Sequence, residues 1–133
     1  MRVVLDTNIL ISATMWDNSV SNKLMRALAE KDIEIFTSYD ILEEYKKVIR
    51  RDFKYEEEDI NKIILELLSY MQVIEPITKI KIILKDPDDN MIIECAADSN
   101  SDFIISYNKH LLEIEEYEGI KVLTPEEFLE MLG

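Results

Sequence analysis

Met1-Arg2-Val3-Val4-Leu5-Asp6-Thr7-Asn8-Ile9-Leu10 begins the chain with an apolar, β-branched run that ends on an acid. Such a run reads as a strand buried on both faces, and therefore central in a parallel sheet. Asp6 then lies at the strand's carboxyl end, where open α/β sheets place their ligand crevice. Thr7 and Asn8 bring side chains that can hydrogen-bond the turn that follows.

Outward from that strand, the pattern alternates. Thr14 to Ser19 reads as a loop, and Leu24, Ala27 and Leu28 recur at helical spacing within a helix predicted over about Val20 to Glu30. Ile33 to Phe36 reads as a second strand running into Thr37-Ser38, either of which can cap the next helix. There the apolar stripe is Ile41, Leu42, Tyr45, Val48 and Ile49. Glu43 falls nearly opposite the stripe, whereas Glu44 lies on its edge and points along the rim of the sheet. A third helix is predicted over Glu57 to Tyr70, then strands at Val73-Ile74 and at Ile80 to Leu84.

Lys85-Asp86-Pro87-Asp88-Asp89-Asn90 starts a helix of about ten residues ending near Asp98, since proline and acids both favour a helix N-terminus. Asp89 shares a face with Ile92, Ile93 and Ala96 and is expected to point inward. Phe103-Ile104-Ile105 reads as a strand with Ser106-Tyr107-Asn108 as its carboxyl-end turn. After Val122-Leu123, Thr124-Pro125-Glu126-Glu127 has the form of a capping box. Alternating strands and helices predict an α/β fold, a three-layer α/β/α arrangement around a central parallel sheet of about five strands. Residues 1–133 form one domain in this reading, at 47% hydrophobic composition large enough to build its own core.

Several classes drop out. Only Gly119 and Gly133 are glycine, so neither a dinucleotide fingerprint nor a phosphate-binding P-loop can follow a strand. Cys95 is the single cysteine, which excludes an internal disulfide framework. No cationic-then-apolar leader precedes the first strand, and the apolar runs fall short of the ~20 residues a spanning helix requires; the expectation is a cytoplasmic protein off the membrane. The net charge of −13 argues against a wholly basic nucleic-acid-binding surface, although Lys46, Lys47, Arg50, Arg51 and Lys54 concentrate cations in one segment.

Asp6, Glu44 and Asp89 are all expected at one sheet edge. Carboxylates that close in a partly desolvated cleft must be protonated or balanced by a cation. Hard oxygen ligands around an open position suit Mg²⁺ or Mn²⁺, and the chemistry implied is phosphodiester hydrolysis. Singly, Asp6 reads better as a turn residue and Asp89 as a helix N-terminal acid; their convergence carries the metal reading.

The strand ending in Leu5-Asp6-Thr7-Asn8, the Leu42-Glu43-Glu44-Tyr45 segment, Asp86-Pro87-Asp88-Asp89-Asn90, the Ala96-Ala97 helix and Phe103-Ile104-Ile105-Ser106 through Leu111-Leu112 together resemble a PIN-domain protein, nearest the small prokaryotic VapC-like toxins. The resemblance implies a metal-dependent endoribonuclease in which Asp6, Glu44 and Asp89 are catalytic ligands. It also implies a homodimer and an antitoxin partner. Asn108 stands where the family has a fourth acid; an amide oxygen ligates Mg²⁺ weakly and adds no charge. In that frame Asn8 and Ser38 would fix the carboxylates, and Lys46, Lys47, Arg50 and Arg51 would hold the RNA backbone, unless they are an ordinary solvated helix face. The missing acid leaves open a PIN scaffold weakened in catalysis that binds RNA or protein. A phosphatase or receiver-type domain fits less well, because Val122-Leu123-Thr124-Pro125 lacks the lysine such sites use.

Overall fold

A computed structural model describes residues 1–80 and 88–133. The opening run forms β1 (Arg2–Leu5), followed by α1 (Thr7–Met15), α2 (Val20–Glu30), β2 (Glu34–Ser38), α3 (Tyr39–Asp52), α4 (Glu57–Leu68) and β3 (Met71–Ile74). The remainder comprises α5 (Asp88–Asp98), β4 (Phe103–Ile105), α6 (Lys109–Ile114), β5 (Glu116–Tyr117), β6 (Ile120–Leu123) and α7 (Pro125–Leu132). Among the described residues the strands make one six-stranded sheet in the order β3-β2-β1-β4-β6-β5. Five strands run parallel, and β5 joins β6 antiparallel.

β1 is central because Val3, Val4 and Leu5 are apolar on both faces, and each is at most 1% exposed. Strand order reverses there: the chain passes from β1 to β2 on one side and later adds β4 on the other. The carboxyl ends of β1 and β4 therefore flank a topological switch point, where such sheets open a crevice. α5 packs across β1, β2 and β4, which sets its first turn above that crevice.

Three elements differ from expectation. α1 replaces the anticipated turn after Asp6. Thr7, Ile9, Leu10, Ile11 and Ala13 are all buried and a narrow edge at Asn8 and Ser12 reaches solvent, so the helix shows only a weak amphipathic stripe. The sheet has six strands rather than about five, because Tyr117-Glu118-Gly119-Ile120 closes a two-residue hairpin with φ of 47° at Glu118 and 88° at Gly119. Ile80 lies outside any strand, and the rest of the strand expected over 80–84 lies outside the described residues. Elsewhere the apolar stripe of α3 buries Ile41, Leu42, Tyr45 and Ile49, and the Thr124–Glu127 capping box starts α7 with Pro125 at its first positions.

Candidate active site at the carboxyl edge of the sheet

Asp6 immediately follows β1 and occupies the N-cap position of α1. Its N–H donates to Ile105 O at 3.0 Å, tying it to β4, and its carbonyl accepts from Ile9 N at 3.0 Å and Leu10 N at 3.2 Å. The side chain is 5% exposed. Burial raises its pKa above the usual aspartate range, against the opposing pull of the Ser106 hydroxyl and the N–H groups of Thr7 and Asn8. No cation among the described residues pairs with it.

Ser106, immediately after β4, is wholly buried and donates its hydroxyl to Asp6 Oδ2 at 2.7 Å. Ser106 Oγ in turn accepts from Asn108 N at 2.8 Å. Asn108 then donates Nδ2–H to Asp89 Oδ1 at 2.9 Å, while its Oδ1 accepts from His110 N and Leu111 N and so caps α6. Asp89, in the first turn of α5, is 5% exposed. A continuous chain of hydrogen bonds thus links two buried aspartates contributed by residues far apart in sequence.

Glu44 is half-buried on α3, about 9 Å along the helix axis from its N-cap at Ser38. Among the described residues no three His, Cys, Asp or Glu side chains cluster tightly enough to hold an ion unaided. The donor set nonetheless fits a hard cation. Mg²⁺ keeps several waters and needs only one or two carboxylates. Thr7 Oγ1, Thr37 Oγ1 and Asn90 Oδ1, all buried, have no hydrogen-bond partner among the described residues. Thr7 and Asn90 adjoin the two aspartates in sequence and Thr37 is the penultimate residue of the neighbouring strand β2, and these oxygens suit a hydrated ion.

Other expected residues sit differently. Ser38 is buried and caps α3, accepting from Ile41 N at 3.3 Å, and Asn8 is exposed. The carboxylate-holding role anticipated for those two is filled at Asp6 by Ser106. In the sequence Ser106 is only a polar residue ending an apolar run; the pairing of β4 with β1 is what brings it to Asp6. Asn108 turns its amide NH₂, not its oxygen, towards Asp89. Of the basic cluster, Lys46 pairs with Glu43 at 3.1 Å, Arg50 with Glu57 and Arg51 with Asp52, and Lys47 is exposed. Arg50 and Arg51 lie ~18–20 Å along the helix axis from Ser38. Tyr107 marks the rim: its hydroxyl donates to Glu126 Oε1 at 2.6 Å, and burial with that carboxylate pushes its pKa up to about 12. Trp16 packs edge-on against Phe53, with centroids 5.5 Å apart.

Against known proteins, the fold is similar to that of VapBC-1 from nontypeable Haemophilus influenzae, with a TM-score of 0.67 at 19% identity over 95% of this chain and 99% of that one. It is similar also to VapBC2 from Rickettsia felis, solved with a DNA fragment from its promoter, with a TM-score of 0.65 at 18% identity over 92% and 97%. In sequence, the uncharacterised protein MJ1680 of Methanocaldococcus jannaschii is 32% identical over 98% of this chain and 90% of its own length. The sequence model described as "PIN domain" matches residues 2–110, a span that contains Asp6, Glu44, Asp89, Ser106 and Asn108, and the chain therefore belongs to the PIN-domain family.

Proposed function

We propose that the protein is a divalent-metal-dependent ribonuclease whose ion is held at Asp6 and Asp89, with Glu44 contributing from the rim. The observation that carries this reading is the buried, hydrogen-bonded link Asp6–Ser106–Asn108–Asp89 at the switch point of a PIN-family sheet. Ser106 holds Asp6 through Oδ2, while Asn108 holds Asp89 through Oδ1. When bound, Mg²⁺ or Mn²⁺ would lower the pKa of an attacking water and offset charge on the phosphate. The buried walls exclude bulk water, so charge on either aspartate acts at low effective dielectric.

Asp6→Asn should abolish cation-dependent cleavage of a single-stranded RNA while leaving the fold intact by circular dichroism. Undiminished cleavage in that variant would refute the proposal. We also assign the protein a basic protein partner of the antitoxin type, supported by the likeness to VapBC chains and by the net charge of −13. Homodimerisation belongs to the same reading. It is supported by the exposed apolar side chains of Leu65, Leu68 and Tyr70 at and just beyond the end of α4. A second reading, a PIN scaffold that binds without turnover, is favoured by one feature only: an amide at Asn108 adds no charge to the site. Robust turnover at physiological Mg²⁺ eliminates it.

A further inference from the structure

The two ends of the Asn108 amide are used differently. Oδ1 accepts from His110 N at 2.8 Å and from Leu111 N at 3.4 Å. Only the oxygen can accept, so the helix cap fixes which way the amide is turned. Nδ2 is thereby directed at Asp89 Oδ1, 2.9 Å away. The backbone N–H of Asn108 is committed to Ser106 Oγ, whose own proton goes to Asp6. The residue is held at three atoms. An amide oxygen whose two lone pairs face backbone N–H groups has none directed at an ion.

We propose that Asn108 is not an ion ligand but a positioning residue, a resident donor that satisfies Asp89 when no ion is bound and competes with a divalent cation for that carboxylate. This rests on reading Asp6 and Asp89 as the ion's ligands. The amide supplies Asp89 with a donor in the place where a further ligand for the ion would otherwise stand, at the cost of cation affinity. A carboxylate at the same position would still cap α6 through one oxygen. Its second oxygen would face Asp89 at hydrogen-bond distance, and two like charges there need a cation between them.

The test uses the full chain and Mn²⁺ alone, by calorimetric titration and by thermal melts with and without the ion. Asn108→Asp should bind Mn²⁺ at least about tenfold more tightly, because affinity follows ligand charge. Without the ion it should melt below the native protein, and saturating Mn²⁺ should restore the loss. Asn108→Ser keeps a good cap for α6 but is too short to reach Asp89, so it should bind Mn²⁺ more tightly than the native chain, and unchanged affinity would remove the competition from the inference. Weakening of about tenfold in Asn108→Ser would make Asn108 a ligand and overturn the inference. Asn108→Asp binding no tighter than native would also overturn it. Asp6→Asn separates the two levels. If it leaves Mn²⁺ binding unchanged, the site reading itself fails and this inference falls with it; if it weakens binding and Asn108→Ser does so too, only the role given to Asn108 falls.

Discussion

Asp6 shows how one side chain can serve function against stability. A carboxyl group whose folded pKa is raised contributes its full stability below the unfolded aspartate value and loses it as pH rises through the folded one. At neutral pH and without divalent ions, ionised Asp6 therefore works against the fold. Asp6→Asn keeps an oxygen for the Ser106 hydroxyl and removes the charge. It should melt several degrees above the native chain at pH 7, with the gap closing on acidification through the carboxylate range; a constant gap from pH 3 to 8 would show that desolvation of Asp6 is not the cause. Ser106 is the residue that reading by type passed over. Nothing local distinguishes it from any serine ending a strand, and its importance comes from β4 lying beside β1, a contact 100 residues away in sequence.

At the scale of elements, legibility followed periodicity. α2, α3 and α4 were readable because each has one wet and one dry face. α1 was not, because a helix buried on most of its surface, with only Asn8 exposed, offers little alternation to detect. β5 was hidden for the opposite reason: two residues, one of them Glu116, are too few to form a pattern. The inward face of α5 was read correctly from its apolar neighbours, so Asp89 is buried as expected. Of the two capping candidates Thr37 and Ser38, Ser38 is the one that caps α3. As the N-cap of α3 it holds a backbone N–H, so Ser38→Ala should lower stability by about 1 kcal/mol. It should leave Mn²⁺ affinity unchanged; a large loss of affinity would return Ser38 to the carboxylates.

For the whole molecule, charge constrains how a polyanion can be held. With a net charge of −13 the protein repels RNA at long range, and most of its cationic helix segment is already engaged with neighbouring acids. Exposed ion pairs of this kind are weak, but breaking one to contact phosphate returns no net charge to the surface. Lys47 is exposed with no acid paired to it among the described residues, and it stands nearer Ser38 than Arg50 or Arg51. Lys47→Ala should therefore reduce the salt dependence of RNA binding by about 0.7 in the log–log slope, whereas Arg51→Ala should change it far less. Equal effects would mean that the pairs open on binding. Among the described residues no helix is long and apolar enough to cross a membrane.

The hairpin at Glu118 and Gly119 has an effect on how copies of the chain can meet. By folding a two-residue ribbon back along β6, it gives that margin of the sheet a short, acid-bearing border, unsuited to recruiting a strand from another molecule. Sheet-to-sheet growth is disfavoured on that flank.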